Sequence, residues 1–184
     1  MMGRGAFLPL IAKILLAFVI AGHAGEIALP WIKQKTATEC GRAVLASVAA
    51  RHGGDVEQFY RELPAPPDRK RGYSILDVKK FAATIGINLS VLQPDGITIA
   101  GECSERPPVT AYFAKLTDVV DAGHPVIVAT GDSSSRGHYL VLVGAGSGKF
   151  IALDPSTPER RTIGFRSLRS MMCGFGYVAL AVQD

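Results

Sequence analysis

The sequence lacks most of the features that mark metal-binding, repetitive or strongly charged proteins. Its three cysteines and four histidines form no CxxC and no HxxxH pattern, so neither a metal nor any other cofactor is expected. No internal repeat and no low-complexity tract is present, which leaves out solenoids and linker-like chains. A large excess of one charge is missing too. The formal net charge is +4, but Arg4 and Lys13 lie in an N-terminal leader that holds no acid. Without them 18 basic residues face 16 acidic ones, a balance of +2. That is too little to argue for nucleic acid or an anionic membrane surface as a partner.

A long hydrophobic run is also absent. Ile14 to Ala21 is unbroken, but spanning a bilayer takes ~20 apolar residues, and Lys13 interrupts any longer count. Arg4 ahead of that run and Gly22-His23-Ala24 behind it give the pattern of a secretory signal cut after Ala24. An uncleaved N-terminal anchor is the alternative, and the only case in which a membrane contact is expected. Either puts residues 25–184 outside the cytoplasm, periplasmic or secreted. The chain as a whole is 48% hydrophobic and 20% charged, and residues 25–184 are expected to form one folded, monomeric domain with a real core.

The compartment changes the meaning of the cysteines. Disulfides are permitted outside the cytoplasm, and an odd count leaves one thiol over. If Cys103 pairs with Cys173, the odd thiol is Cys40; sequence alone leaves the pairing open.

Helices come first and strands mostly later, which predicts an α+β fold. Residues 36–52 read as a first helix, with Thr36 and Glu39 at capping-box spacing and Val44, Leu45, Val48 and Ala49 as its stripe. Gly53-Gly54 ends it, behind Arg51 and His52. A short helix near 55–63 and a proline-rich loop over 64–72 follow. Ser74 and Asp77 repeat the capping spacing ahead of Ile75, Val78, Phe81, Ala82 and Ile85. Ile87, Leu89 and Val91 alternate as a strand, and residues 93–109 read as irregular. A helix near 115–122, a strand over Val126–Thr130 and the loop GDSSSRG (131–137) come next. HYLVLVG and KFIALD flank a hairpin turn, and a helix near 165–172 and a strand over 177–182 close the chain.

Chemistry enters with QKTATECGRA, residues 34–43. A cysteine in the first turn of a helix meets free N–H groups and the positive end of the dipole, which stabilise a thiolate. Gly41 leaves room there for a substrate backbone. Alone, such a cysteine is more often a small buried hydrophobe. A thiol nucleophile also needs a base. His52 sits at a helix end and His124 at a loop-to-strand joint, whereas His138 opens a strongly apolar strand at the rim of the core. With the turn centred near Gly146, His138 and Asp154 are equidistant from it and should face each other across the hairpin. Asp154 could then orient the imidazole, although it also reads as a turn starter before Pro155. Gln34 can reach back toward Cys40 as an oxyanion donor. Asp68 to Arg71 reads as a solvated loop, Trp31 as packing for the N-terminal segment, and GDSSSRG as a plain connection.

Taken together, these features resemble a family. Gln34, Cys40-Gly41 and Ala43, then GYSILDVKKFAATIGI, GHYLVLVG and Asp154-Pro155, are similar to the bacteriocin-processing, double-glycine leader peptidases, which are papain-like. The resemblance covers roughly residues 30–182. It implies a papain-like fold with N-terminal helices packed on an antiparallel sheet. It also implies a cysteine peptidase with Cys40 as nucleophile, His138 as base, Asp154 as orienting residue and Gln34 as oxyanion donor. No transporter or ATPase segment follows in these 184 residues, and the leader points outside the cytoplasm, where transporter-borne members do not work. The expected substrate is therefore an exported or periplasmic polypeptide, in company with an export system, and cleavage after Gly-Gly is one option. Two alternatives stay open. One is a secreted papain-like cell-wall amidase or endopeptidase, against which the Gln34 spacing argues. The other is a non-catalytic leader-peptide-binding domain, against which the presence of Cys40 argues.

Overall fold

The computed structural model describes residues 25–67, 72–94, 107–131, 137–158 and 160–183. The leader, the basic loop Asp68–Arg71, Cys103 and residues 132–136 of GDSSSRG lie outside them. Among the described residues no helix is long and apolar enough to cross a membrane.

The chain is α+β, as its pattern predicts. Helix α1 spans Cys40–Arg51, α2 Val56–Glu62 and α3 Ile75–Thr84. Strand β1 (Asn88–Leu92) and α4 (Pro107–Asp121) precede a run of β2 (Val126–Thr130), β3 (His138–Gly146), β4 (Lys149–Leu153) and β5 (Arg160–Gly164). Helix α5 (Phe165–Cys173) and β6 (Ala179–Gln183) complete it. The six strands form one sheet in the order β1-β6-β2-β3-β4-β5, and every pairing is antiparallel.

The first helix departs from expectation at both its start and its faces. It begins at Cys40, not residue 36, and Glu39 caps it without any side-chain bond. Residues 36–38 form a turn instead, with the Glu39 amide donating to the Thr36 carbonyl at 3.2 Å. The Glu39 carboxylate is drawn away to Arg42, 3.0 Å from it, so the expected capping box does not form. Nine of the twelve residues of α1 are buried, so it is a central helix and not a striped surface one. Ala43 and Ala46 are small enough for Tyr60 of α2 to pack against them. The caps of α2 and α3 follow the rules their sequences suggest. Asp55 accepts the Glu57 and Gln58 amides, and Ser74 with Asp77 makes a full capping box.

Helices cover both faces of the sheet. Leu153 of β4 shares a small cavity with Ala43 and Val44 of α1. Phe150, three residues earlier and so on the opposite face, stacks on Phe165 of α5 with ring centroids 4.8 Å apart. Phe113 of α4 closes on the same pair. Helix α4 begins eight residues before the expected 115. Pro107 sits at its first position, where a missing N–H costs nothing. Strand β5 was not expected at all, and the final strand starts at Ala179 because Tyr177 turns the chain with φ of 57°.

Phe150 is fully buried between two helices and the sheet, so Phe150→Ala should cost about 3–5 kcal/mol. Urea unfolding measures this; an unchanged midpoint would mean that the α4–α5 layer does not carry the core.

Candidate active site

Cys40 is the first residue of α1, so the amides of its turn have no acceptor within the helix and face the thiol end. It is 3% exposed and is the free cysteine among the described residues. Cys173 is in a disulfide. Gly41 behind it has a different reason from the one its position suggests. The Tyr73 ring lies over it, and a Cβ there would come within 2.9 Å of that ring. The glycine therefore admits an aromatic lid onto α1 and does not face an incoming chain.

His138 starts β3 and meets both partners expected of it. Its Nε2 lies 2.8 Å from Asp154 Oδ1. The Cys40 side chain is close enough to the ring to raise the His138 pKa through a hydrogen bond and its charge. Thr130, paired with His138 across β2 and β3, donates its hydroxyl to the His138 carbonyl at 3.0 Å and fixes the start of the strand.

The His138–Asp154 contact is not made by the expected direct opposition. The hairpin turns on Ser147 and Gly148, both at positive φ, with Gly146 paired to Lys149. A register shift follows between Leu142 and Gly144, and Val141 then pairs with Leu153. One step further, that register sets Asp154 toward Leu140. His138 is two residues away, a diagonal neighbour within reach of a ring.

Asp154 is 1% exposed, and four donors satisfy its carboxylate. Oδ1 accepts from His138, from the Ser156 amide at 2.9 Å and from the Ser156 hydroxyl at 2.6 Å. Oδ2 accepts from Arg161 of β5 at 2.6 Å. Asp154 is a turn starter as well, since its carbonyl accepts the Thr157 amide at 3.1 Å. Burial alone would raise its pKa, but the bonds from His138, Ser156 and Arg161 hold it well below the carboxylate range. Burial would likewise lower the pKa of His138. The bonds to Asp154 and Cys40 overcome it and raise that pKa from 6.5 to about 9.

Gln34 belongs to an extended segment bound along this region. Its amide donates to the Pro155 carbonyl at 3.0 Å, and the Trp31 indole donates to the Asp154 carbonyl at 2.8 Å. The Gln34 Oε1 is buried without a hydrogen-bond partner. Gln34 is thus tied to the Asp154–Pro155 turn, and only the loop 35–39 separates it from Cys40. His52 lies at the far end of α1, about 18 Å along its axis, and takes no part.

Two residues of the cluster were missed in the sequence. Ser156 was legible, because Asp-Pro-Ser is a turn whose first carboxylate bonds two residues on. Arg161 was not, because nothing marked RRTIG as a strand.

The profile of the Peptidase_C39 like family matches residues 26–170, most of the chain. The chain belongs to that family. The resemblance read from its motifs holds, and this C39-like protein is a cysteine peptidase. Three solved structures share its fold. A double-glycine motif protease from an AMS/PCAT transporter, solved with its leader peptide, is 20% identical with a TM-score of 0.57, covering 87% of this chain and 95% of its own. The peptidase domain of Streptococcus ComA, a bifunctional ABC transporter of a quorum-sensing pathway, is 24% identical with a TM-score of 0.60, covering 85% and 99%. A C39-like protein from Bacillus anthracis is 14% identical with a TM-score of 0.58, covering 84% and 94%. Among curated proteins none matches the sequence.

The paired shifts set a pH window for folding. His138 is raised in the folded state, so its contribution is complete below about 6.5 and fades as pH rises through about 9. Asp154 is lowered, so its contribution is complete above its ordinary 3.8 and is lost in acid. The stability gap between the wild type and His138→Gln should therefore shrink steadily above pH 6.5 in urea titrations. A gap that stays constant to pH 10 would refute the coupling.

Proposed function

We propose that Cys40 is the nucleophile, His138 the acid and base, Asp154 its orienting partner and Gln34 an oxyanion donor. The substrate is an exported polypeptide, cut outside the cytoplasm. One juxtaposition carries the proposal: a free thiol at a helix N-terminus, an imidazole whose pKa that thiol helps to raise, and a buried, four-bonded carboxylate behind the imidazole.

With its pKa near 9, His138 holds the proton at neutral pH. An imidazolium and a helix N-terminus both stabilise negative charge on Cys40 Sγ. The thiolate attacks the peptide carbonyl, and the electron pair moves to its oxygen. The Cys40 amide and the Gln34 side-chain amide stabilise that oxyanion. His138 then gives its proton to the leaving amine, and a thioester remains. Water, losing a proton to His138, attacks the thioester, and the adduct expels the Cys40 thiolate as the acid leaves, which restores the thiolate–imidazolium pair. Asp154 stays ionised throughout and stabilises the imidazolium.

The leader pattern supports an extracytoplasmic site of action. The double-glycine proteases that share the fold make a Gly-Gly junction in an exported precursor the first substrate to test.

Comparing proteins exported by strains carrying wild-type and Cys40→Ala protein should reveal a precursor that keeps its N-terminal segment only in the variant. Identical processed termini in both strains would overturn the proposal. In vitro, kcat/KM should fall as pH rises through about 9, where His138 loses the proton the leaving amine needs. Gln34→Ala should lower kcat by about 10²–10³-fold.

A further inference from the structure

We propose that Tyr60, on α2, is a positioning residue that sets the spacing between the two oxyanion donors; this rests on the roles given above to Gln34 and Cys40. The five-residue loop 35–39 joins those donors, and the Tyr60 hydroxyl is bonded to both of its ends. The amide of Lys35, next to Gln34, donates to Tyr60 Oη at 3.1 Å. Tyr60 Oη donates to Oε2 of Glu39, next to Cys40, at 3.3 Å.

The direction of each bond is fixed by chemistry. A backbone amide can only donate and a carboxylate can only accept, so the clamp needs one atom that does both. A phenol hydroxyl does this with its single proton; phenylalanine cannot. Burial pushes the Tyr60 pKa up to about 12, so the proton stays in place across the working range. The ring is fixed as well. It is 2% exposed, packed with Ala43 and Ala46, and held between the Lys35 ammonium at 4.5 Å and the Arg42 guanidinium at 4.7 Å. Arg42 in turn bonds the other oxygen of Glu39 at 3.0 Å and the Arg61 carbonyl at 3.3 Å. Without the hydroxyl, Glu39 keeps Arg42, but the Lys35 end of the loop loses its acceptor. The Lys35 side chain keeps the ring and Glu57, 3.5 Å away, but along the backbone Gln34 keeps its bond to Pro155 without the neighbouring one.

The test is Tyr60→Phe, with melting midpoints measured first and rates compared where every variant is folded. The expected result is a fall in kcat of about 10–100-fold with KM changed by less than about twofold. Alkylation of Cys40 by iodoacetamide forms no oxyanion, so its rate and pH profile should match the wild type. Gln34→Ala should show the same signature. The double variant should be no slower than Gln34→Ala alone, because Tyr60 acts through that donor. Wild-type kcat in Tyr60→Phe overturns the proposal while leaving the oxyanion reading intact. So does an alkylation rate that falls with kcat, or a double variant whose losses multiply. Wild-type turnover in Gln34→Ala removes the oxyanion reading itself, and the role of Tyr60 with it.

Discussion

The buried carboxylate of Asp154 is the constraint around which this end of the molecule is arranged. An ionised group at 1% exposure persists only if its lone pairs are met, and four donors meet them. They come from β3, from the turn after β4 and from β5. The carbonyls of Asp154 and Pro155 take three more donors, the Thr157 amide and, from the N-terminal segment, Trp31 and Gln34. Three strands and the N-terminal segment thus converge on two residues. The imidazole of His138 cannot rotate freely without breaking that cluster.

A second polar cluster does comparable work on the other side of the thiol. Glu39, Arg42, Tyr60 and Lys35 share hydrogen bonds and ring contacts at the start of α1. Between the two clusters the structure is apolar: Val44, Leu45 and Val48 of α1, and the interior of β2 and β3. The site is a hydrophobic core with polar knots at its rim, each anchored to more than one element. This is what lets a 12-residue helix hold a reactive group in place.

Much of this was legible in the sequence, and the exceptions have local causes. The second capping box and the strand opened by His138 stand where the pattern puts them. The start of α1 did not, because Glu39 meets the capping spacing but finds stronger tertiary partners in Arg42 and Tyr60. The first half of α4 does not stand where the pattern puts it, although Val109, Phe113, Leu116 and Val120 lie at helical spacing. Strand β5 gave no signal, since RRTIG buries Ile163 and exposes its charges, as an edge strand does. The hairpin register was wrong in detail because a bulge cannot be counted from a turn. Even so, the period of two kept His138 and Asp154 on one face.

The course of the N-terminal segment bears on how the domain can be tethered. Ile27 pairs through its amide with the carbonyl of Val143, near the hairpin end of β3. His138 is at the opposite end of that strand, five residues or about 17 Å away. The described chain thus starts remote from the thiol, and it reaches Gln34 only after running back along the sheet. A tether attached at residue 25 would hold the domain by its far end, away from the reactive one.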